Sequence, residues 1–136
     1  MSQENVNFMR EAFHAFARGD MAALAGLLDP DVRWKAVEDP EPKRGFDGVL
    51  ESLGAWYEVW DEIHVELEEL IDRGTNVVAI VNMRGRHAGS RSEVTERFFQ
   101  VWTIKDGKIG EFREYKTETE ALEAAGPSEQ DAHADS

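Results

Sequence analysis

Hydrophobic residues recur at helical spacing in the first half of the chain. Two long stripes, one near the start and one after the proline-rich segment EDPEPKRG, are typical of helices with a single apolar face. Their members are Val6, Met9, Phe13 and Phe16 in the first helix, and Leu50, Leu53, Tyr57 and Trp60, widened by Val49 and Trp56, in the third. Between them, Asp20 is predicted to cap a short second helix that runs through Leu28, and DPDVRWKAV to form a turn and a short strand.

The second half of the chain alternates between apolar and polar residues with the period of two that is typical of strands. The four alternating stretches are HVELEELI, VVAIVNMRGRH, EVTERFFQVWTI and KIGEFREYK. In the first of these stretches, the residues predicted to share one face are Val65, Leu67 and Ile71. Asp106–Gly107 predicts a two-residue hairpin, and Thr117 with Glu120 predicts a capping box for a short final helix.

The order of these elements predicts an α+β fold: helices first, then a strand, a helix and four antiparallel strands. Because amphipathic helices must bury their stripes, we expect a curved, mostly antiparallel sheet wrapped around the N-terminal helices. Such a sheet forms a cone with a central pocket. We expect residues 1–126 to form one domain and residues 127–136 to form a disordered, polar tail.

The strand from Ala79 to Gly89, AIVNMRGRHAG, changes character along its length. Ile80 is followed on the same face by Asn82, Arg84 and Arg86, because strand side chains alternate with a period of two. That face either emerges into solvent or lines a cavity in which the cations act on a ligand. We take the second alternative as the working hypothesis.

Charge excludes several classes of function. The net charge is −13, and seven acids cluster in EVWDEIHVELEELID, so nucleic acid and anionic membranes are not expected as partners. The chain has no cysteine, and its four histidines show no paired metal-ligand spacing, so we expect neither a metal nor another cofactor. No apolar run is long enough to span a membrane, and no secretion signal is recognised. A cytoplasmic location is the resulting expectation.

Three stretches of the chain carry a resemblance to a known family: AFHAFARGDMAALAGLLDPDVRW, TERFFQVWTIKDGKIGEFREY and ETEALEAAG. Together they resemble the SnoaL-like branch of the nuclear-transport-factor-2-like superfamily, over roughly residues 5–126. The superfamily includes ketosteroid isomerases, polyketide cyclases, epoxide hydrolases, dehydratases and members that only bind ligands or partners, so the fold names no reaction. The resemblance also implies a homodimer through the outer sheet face, where an exposed apolar surface is predicted at Phe99, Val101, Arg113 and Tyr115.

Steroid isomerase activity is not expected from the residues at the matching positions. The resemblance places that enzyme's tyrosine at Ala12, its carboxylate base at Ala36 and its protonated acid near Gln100. Neither alanine can transfer a proton, and an amide cannot replace a carboxylic acid, although Gln100 can still donate a hydrogen bond.

Epoxide hydrolase activity is not expected either. The resemblance places Arg84 at that enzyme's arginine position and Glu114 at one of its carboxylate positions, but Arg86 stands where the other carboxylate belongs. Trp34 and Ala36 stand where the residues that hold the attacking water would be. An arginine stays protonated and cannot serve as the general acid.

Glu114 is the best remaining catalytic candidate, with Arg84 as its partner. The resemblance implies that SnoaL-type cyclases need mainly one acid–base carboxylate in an apolar cavity near the last strand, and Glu114 matches that position. An apolar cavity raises the pKa of a carboxyl group, whereas nearby arginines lower it, and the sequence leaves this balance open. The remaining predicted pocket residues are Phe13, Trp34, Trp56, Tyr57, Asn82, Arg86, Phe98, Gln100, Trp102 and Phe112.

Two functional hypotheses remain at this stage. In the first, a SnoaL-like domain binds a small hydrophobic molecule that carries a carbonyl or anionic group, with lyase, cyclase or isomerase activity from Glu114 and Arg84 as a variant. In the second, the chain is a non-catalytic dimeric interaction module. Arg84 and Glu114 have a simpler interpretation as well, as a cross-strand ion pair that only stabilises the sheet.

Overall fold

Six strands form a single sheet in the computed structural model, which describes residues 2–127, the side chain of Ser2 excepted. The elements in chain order are α1 (Ser2–Ala17), α2 (Met21–Leu27), β1 (Leu28–Lys35), β2 (Lys43–Arg44), α3 (Gly45–Glu58), β3 (Trp60–Arg73), β4 (Asn76–His87), β5 (Glu93–Lys105), β6 (Lys108–Tyr115) and α4 (Glu118–Ala125). The predicted tail lies, apart from Pro127, outside the described residues. No helix within residues 2–127 is long and apolar enough to cross a membrane.

The strand order across the sheet is β2-β1-β6-β5-β4-β3. Neighbouring strands are antiparallel except β1 and β6, which run parallel, with Trp34 beside Phe112. The expected α+β fold with a curved, mostly antiparallel sheet is therefore confirmed. The hairpin and caps also form as predicted: Asp106 and Gly107 both have positive φ, Thr117 Oγ1 accepts from the amide of Glu120, and Asp20 accepts from that of Ala23.

The sheet has two covered faces, and β4 shows the division between them. The inner face carries Val77, Ala79 and Val81, which pack with α1 and α3 in the main core. The outer face carries Val78 and Ile80, which pack with α4 in a second, smaller core. Because both faces are covered here, residues 77–81 form the continuous apolar run typical of a fully buried strand.

Helix α4 changes the expectation about the outer face. Phe99 and Val101 are buried within a single chain because Ala121 and Ala125 of α4 pack against that face. The prediction that these residues form an exposed apolar surface is therefore wrong. The homodimer that was inferred from that surface stays a prediction, and it loses this argument.

Two details of the predicted elements are corrected. Trp60 was assigned to the third helix, but α3 ends at Glu58 and Trp60 begins β3. A bulge between Leu67 and Glu69 adds one residue to β3, so the alternation shifts. As a result Val65 and Leu67 pack in the inner core whereas Ile71 packs in the outer one, and the prediction that all three share a face is wrong.

Candidate functional site

A cavity of about 90 Å³ lies between the inner face of the sheet and helices α1 and α3. Fifteen of its eighteen lining side chains are apolar or aromatic, and the other three are Ser52, Gln100 and Glu114. The apolar and aromatic lining residues are Met9, Ala12, Phe13, Phe16, Leu24, Trp34, Ala36, Leu53, Trp56, Val65, Val81, Met83, Phe98, Trp102 and Phe112. Within the described part of the chain, Glu114 is thus the one ionisable side chain that lines this cavity.

Trp102 lies at the centre of the aromatic part of the wall. Its ring meets Trp34 edge-on, with centroids 5.5 Å apart, and also meets Phe13 edge-on at 5.8 Å. Phe112 lies 4.5 Å from Trp102 and 4.1 Å from Trp34. Edge-to-face contacts of this kind stabilise aromatic clusters beyond the area they bury. This part of the wall is therefore packed by its own contacts and does not depend on a ligand.

A chain of hydrogen bonds orients the carboxyl group of Glu114. Trp102 Nε1 donates to Gln100 Oε1 over 3.0 Å, and Gln100 Nε2 donates to Glu114 Oε2 over 2.9 Å. Because an indole N–H can only donate, it orients the Gln100 amide with its NH₂ group toward Glu114. Gln100 and Glu114 are direct partners on adjacent strands, so the β5–β6 register brings these two groups together.

The segment after β1 contacts Glu114 from another side. The backbone amide of Val37 donates to Glu114 Oε1 over 3.2 Å. The segment is itself held by Asp39, whose Oδ2 accepts from the amide of Ala36 at 3.0 Å and from Ser52 Oγ at 2.8 Å. Ser52 belongs to α3, so these contacts link the carboxyl group of Glu114 to the helix that covers the cavity.

Burial raises the pKa of Glu114 above its ordinary value. The hydrogen bonds from Gln100 and from the Val37 amide act in the opposite direction because they favour the ionised form, whereas the nearby carboxylates of Asp39 and Glu38 raise the pKa further. No cation lines the cavity within the described residues. The sequence left open whether an apolar cavity or two arginines would determine the pKa of Glu114. Because no arginine of the described residues lines the cavity, burial determines it, and at a given pH Glu114 is more often neutral than an exposed glutamate.

Asn82, Arg84 and Arg86 lie on the outer face of β4, and the prediction that they face the cavity is wrong. In the β4–β5 register, Asn82, Arg84 and Arg86 are opposite Arg97, Thr95 and Glu93, whereas Val81 is opposite Phe98, a cavity residue. The cavity positions of β4 are Val81 and Met83. Arg84 therefore cannot act with Glu114 in one site.

The two arginines form surface ion pairs instead. Arg86 pairs with Glu62 at 3.2 Å and Arg84 with Glu93 at 4.0 Å, and all four side chains are 44–62% exposed. Exposed pairs of this kind contribute roughly 0–1 kcal/mol. The simpler interpretation of a cross-strand ion pair thus describes these arginines, although with partners other than Glu114.

Tyr57 is the other predicted pocket residue that lies elsewhere. Its side chain is 45% exposed and borders a separate groove between α1 and β3. The remaining predicted pocket residues line the cavity: Phe13, Trp34, Trp56, Phe98, Gln100, Trp102, Phe112 and Glu114. The prediction missed Met9 and Leu53, which the helical stripes could have identified, and Ser52, for which the sequence gives no signal.

A family model described as the SnoaL-like domain matches residues 9–112 of the chain. The chain belongs to the SnoaL-like domain family. The predicted resemblance is thus confirmed. A curated relative, the uncharacterized protein Rv0034 of Mycobacterium tuberculosis, is 29% identical in an alignment of 126 positions that covers 88% of this SnoaL-like domain protein and 94% of the relative.

Two solved structures illustrate the fold of the family. An NTF2-like protein of unknown function from Burkholderia pseudomallei is 26% identical with a TM-score of 0.74, over 88% of this SnoaL-like chain and 95% of that one. A hypothetical protein from Catenulispora acidiphila with a ketosteroid isomerase-like fold, solved in complex with trimethylamine, is 14% identical with a TM-score of 0.63, over 79% and 82% of the two chains. At this level of identity the second structure supports the fold alone.

The three positions that the resemblance assigned to steroid isomerase chemistry all line the cavity of this SnoaL-like domain. They are occupied by Ala12, Ala36 and Gln100. These three positions therefore lie together in one cavity, but the tyrosine, base and acid of that chemistry are not there. Glu114 is the one ionisable side chain that lines this cavity within the described residues, and burial raises its pKa.

Proposed function

We propose that this SnoaL-like domain binds a small, mostly hydrophobic molecule in its cavity and that Glu114 contacts a carbonyl oxygen of that molecule. The observation that carries the proposal is the cavity itself, which is apolar and aromatic except for Ser52, Gln100 and Glu114. Small-molecule sites are commonly built in this way, from apolar walls and a few oriented polar groups. A carboxylic acid in its neutral form has one O–H that can donate to a carbonyl oxygen.

The absence of a cation from the described cavity wall favours a carbonyl over an anionic group. An anion would lose its water without gaining an opposite charge, and burying an unpaired charge is strongly unfavourable. The anionic ligand that the sequence suggested depended on Arg84 and Arg86, which lie on the other face of the sheet. A neutral ligand that accepts a hydrogen bond therefore fits the cavity best.

Acid–base catalysis by Glu114 is a second candidate function, favoured by the direction of its pKa. General acid–base groups work best when their pKa lies near the operating pH, and burial moves that of Glu114 upward from 4.5. In its ionised form Glu114 could remove a proton next to a ligand carbonyl, and in its neutral form return it, as an isomerase or cyclase requires. Arg84 has no part in this version.

Three ring-matched probes test the ligand chemistry: cyclohexanone as the carbonyl, cyclohexanecarboxylate as the anion and cyclohexylamine as the cation. Binding is measured from the quenching of tryptophan fluorescence at pH 5.5 and 7.5. We expect cyclohexanone to bind best and to bind more tightly at pH 5.5. Because one solved neighbour holds trimethylamine, the amine is an informative comparison: tighter amine binding, increasing with pH, would overturn the carbonyl proposal.

Two substitutions of Glu114 separate hydrogen bonding from titration. Glu114→Gln keeps a donor of similar shape and should retain cyclohexanone binding without the pH dependence. Glu114→Met removes the donor and should weaken binding roughly 3- to 10-fold, the value of one hydrogen bond. Equal binding by the wild type and Glu114→Met would contradict the proposal.

Hydrogen–deuterium exchange next to the carbonyl tests catalysis. When cyclohexanone is incubated with the protein in D₂O, proton removal by Glu114 replaces α-hydrogens with deuterium, which NMR detects. Exchange should exceed that of the buffer and disappear in Glu114→Gln. If exchange is no faster than in buffer while cyclohexanone binds, the protein binds this ketone without catalysis and the second candidate is rejected for it.

A further inference from the structure

A second, larger concave site lies on the outer face, along β1 and β6 and beside the start of α4. This outer groove has a volume of about 490 Å³. Four of its lining side chains are cations, Arg33, Lys35, Arg113 and Lys116, and besides Glu114 it has two carboxylates, Glu111 and Glu120. This group of cations contrasts with the net charge of −13 of the whole chain. It arises because the strand register places cationic residues of neighbouring strands side by side.

The register places like charges opposite one another. Lys35 is the direct partner of Arg113 across the parallel β1–β6 pair, and Arg33 is the direct partner of Arg44 across β1–β2. Like charges directly opposite on adjacent strands destabilise a sheet. Glu111 is the register partner of Arg33 and lies 3.7 Å from Arg113 Nε, which is the one cationic group within 4.0 Å of it among the described residues.

Arg113 also has an unsatisfied donor. Its Nε is buried and makes no hydrogen bond, because the 3.7 Å separation from Glu111 is too long for one. Lys35 donates one hydrogen bond, to the carbonyl of Ala36 at 3.1 Å, which leaves its other protons available. A buried donor without an acceptor is costly, so the chain itself leaves this guanidinium under-satisfied, and an anion in the groove would bind its two terminal nitrogens, Nη1 and Nη2.

The other end of the same sheet face provides an internal comparison. There, Arg86 lies 3.2 Å from Glu62 and Arg97 lies 2.8 Å from Glu68, so each guanidinium has its own carboxylate. Arginine is therefore paired within the chain at one end of the outer face. At the end that forms the outer groove, the cations exceed their internal partners.

We propose that the outer groove binds a small oxyanion with at least two negative charges, of the phosphate or polycarboxylate class. The guanidinium of Arg113 binds two oxygens of the anion side by side, and the ammonium groups of Lys35 and Lys116 neutralise its remaining charge. Phe112 and Glu114 line both the outer groove and the inner cavity, but the four cations line only the groove, and the proposal does not depend on the function proposed for the cavity.

The proposal is tested by titration calorimetry with inorganic pyrophosphate and with citrate, at an ionic strength held constant with sodium chloride. We expect saturable binding of at least one of the two, and the tighter one identifies the phosphate or the carboxylate class. If neither binds above the chloride background, the proposal is overturned.

Four variants separate a built site from general attraction by positive charge. Arg113→Gln should weaken anion binding at least tenfold, and Arg113→Lys, which keeps the charge but not the planar fork, should weaken it several-fold. Arg84→Gln removes one positive charge from the same face, outside the groove, and should leave binding unchanged. Lys35→Gln, at an outward-facing strand position, provides a second test if the Arg113 variants do not fold. Equal weakening by Arg84→Gln and the groove variants would overturn the proposal.

Discussion

Replacing Ala12 with leucine should fill part of the ligand cavity without disturbing the helix that carries it. Ala12 is 3% exposed, belongs to α1 and lines the cavity. Leucine is nearly as good a helix former as alanine, so the effect of the substitution comes from the space around the side chain. We expect Ala12→Leu to stabilise the protein and to prevent cyclohexanone from binding.

The size of the stabilisation follows from the cavity volume. Unfilled cavities in a closed core cost about 24 cal/mol per Å³, so about 2 kcal/mol is the upper limit for filling this 90 Å³ cavity, which opens to solvent. One leucine fills part of this space and loses some side-chain entropy on burial. We therefore expect the free energy of unfolding to rise by about 1 kcal/mol, within the usual range for cavity-filling substitutions.

Ala15→Leu is the matched control. Ala15 is 2% exposed and lies on the same helix one turn later, but it does not line the cavity. A leucine at this buried position does not enter the cavity and should cost about 1–3 kcal/mol through overpacking. Urea denaturation followed by tryptophan fluorescence measures both variants, with unchanged m-values as the check that the folded states are comparable. If the two substitutions destabilise the protein equally, the cavity beside Ala12 cannot hold a leucine side chain, and the prediction is refuted.

Three further predictions concern pH, packing and the outer face. Because the pKa of Glu114 is raised in the folded state, its ionisation opposes folding as the pH rises above about 4.5. Glu114→Gln should therefore gain stability relative to the wild type in urea melts as the pH is raised from that value, and a difference that does not change with pH would contradict the pKa direction. Gly85→Ala would place its new Cβ against the carbonyl oxygen of Glu62 and should lower the stability measured by thermal denaturation by about 3 kcal/mol. The control Gly54→Ala, on α3 with no atom of the described residues near its new Cβ, should raise the stability by about 0.5 kcal/mol. Similar effects of the two substitutions would show that β3 moves away to accommodate the new Cβ at position 85. Arg84→Gln should change stability by less than about 0.5 kcal/mol and leave cyclohexanone binding unchanged, and a tenfold loss of affinity would argue that Arg84 reaches the cavity.

Local chemistry allowed much of the fold to be predicted from the sequence. The caps at Asp20 and Thr117 and the hairpin at Asp106 depend on residues within three positions of each other, and all three form. The bulge after Leu67 had no such signal. It depends on how β3 pairs with β4, a long-range contact that alternation along one strand does not specify.

The prediction of the site residues was limited for the same reason, because alternation along one strand does not specify its long-range contacts. Alternation correctly grouped Ile80 with Asn82 and Arg84, but alternation does not say which face of a strand meets the helices. The two faces of β4 are equally apolar up to Val81, so that part of the strand gives no answer. The part of the strand after Val81 does distinguish the two faces. Met83 continues the apolar series at the odd-numbered positions, which face the cavity, whereas the even-numbered positions become polar where α4 no longer packs on the outer face.

Strand β6 ties the two proposed sites to one structural feature. Glu114 points inward to an apolar cavity without a cation, whereas the adjacent Arg113 belongs to an outer groove with an excess of cations. Glu114 and Phe112 also line the outer groove, so the two sites adjoin at β6, with the four cations on the groove side only. Among the described residues, Glu114 has hydrogen-bond partners but no cation within the cavity, and burial raises its pKa, whereas Arg113 Nε has no hydrogen-bond partner. The alternation of β6 is therefore the feature on which both proposals depend.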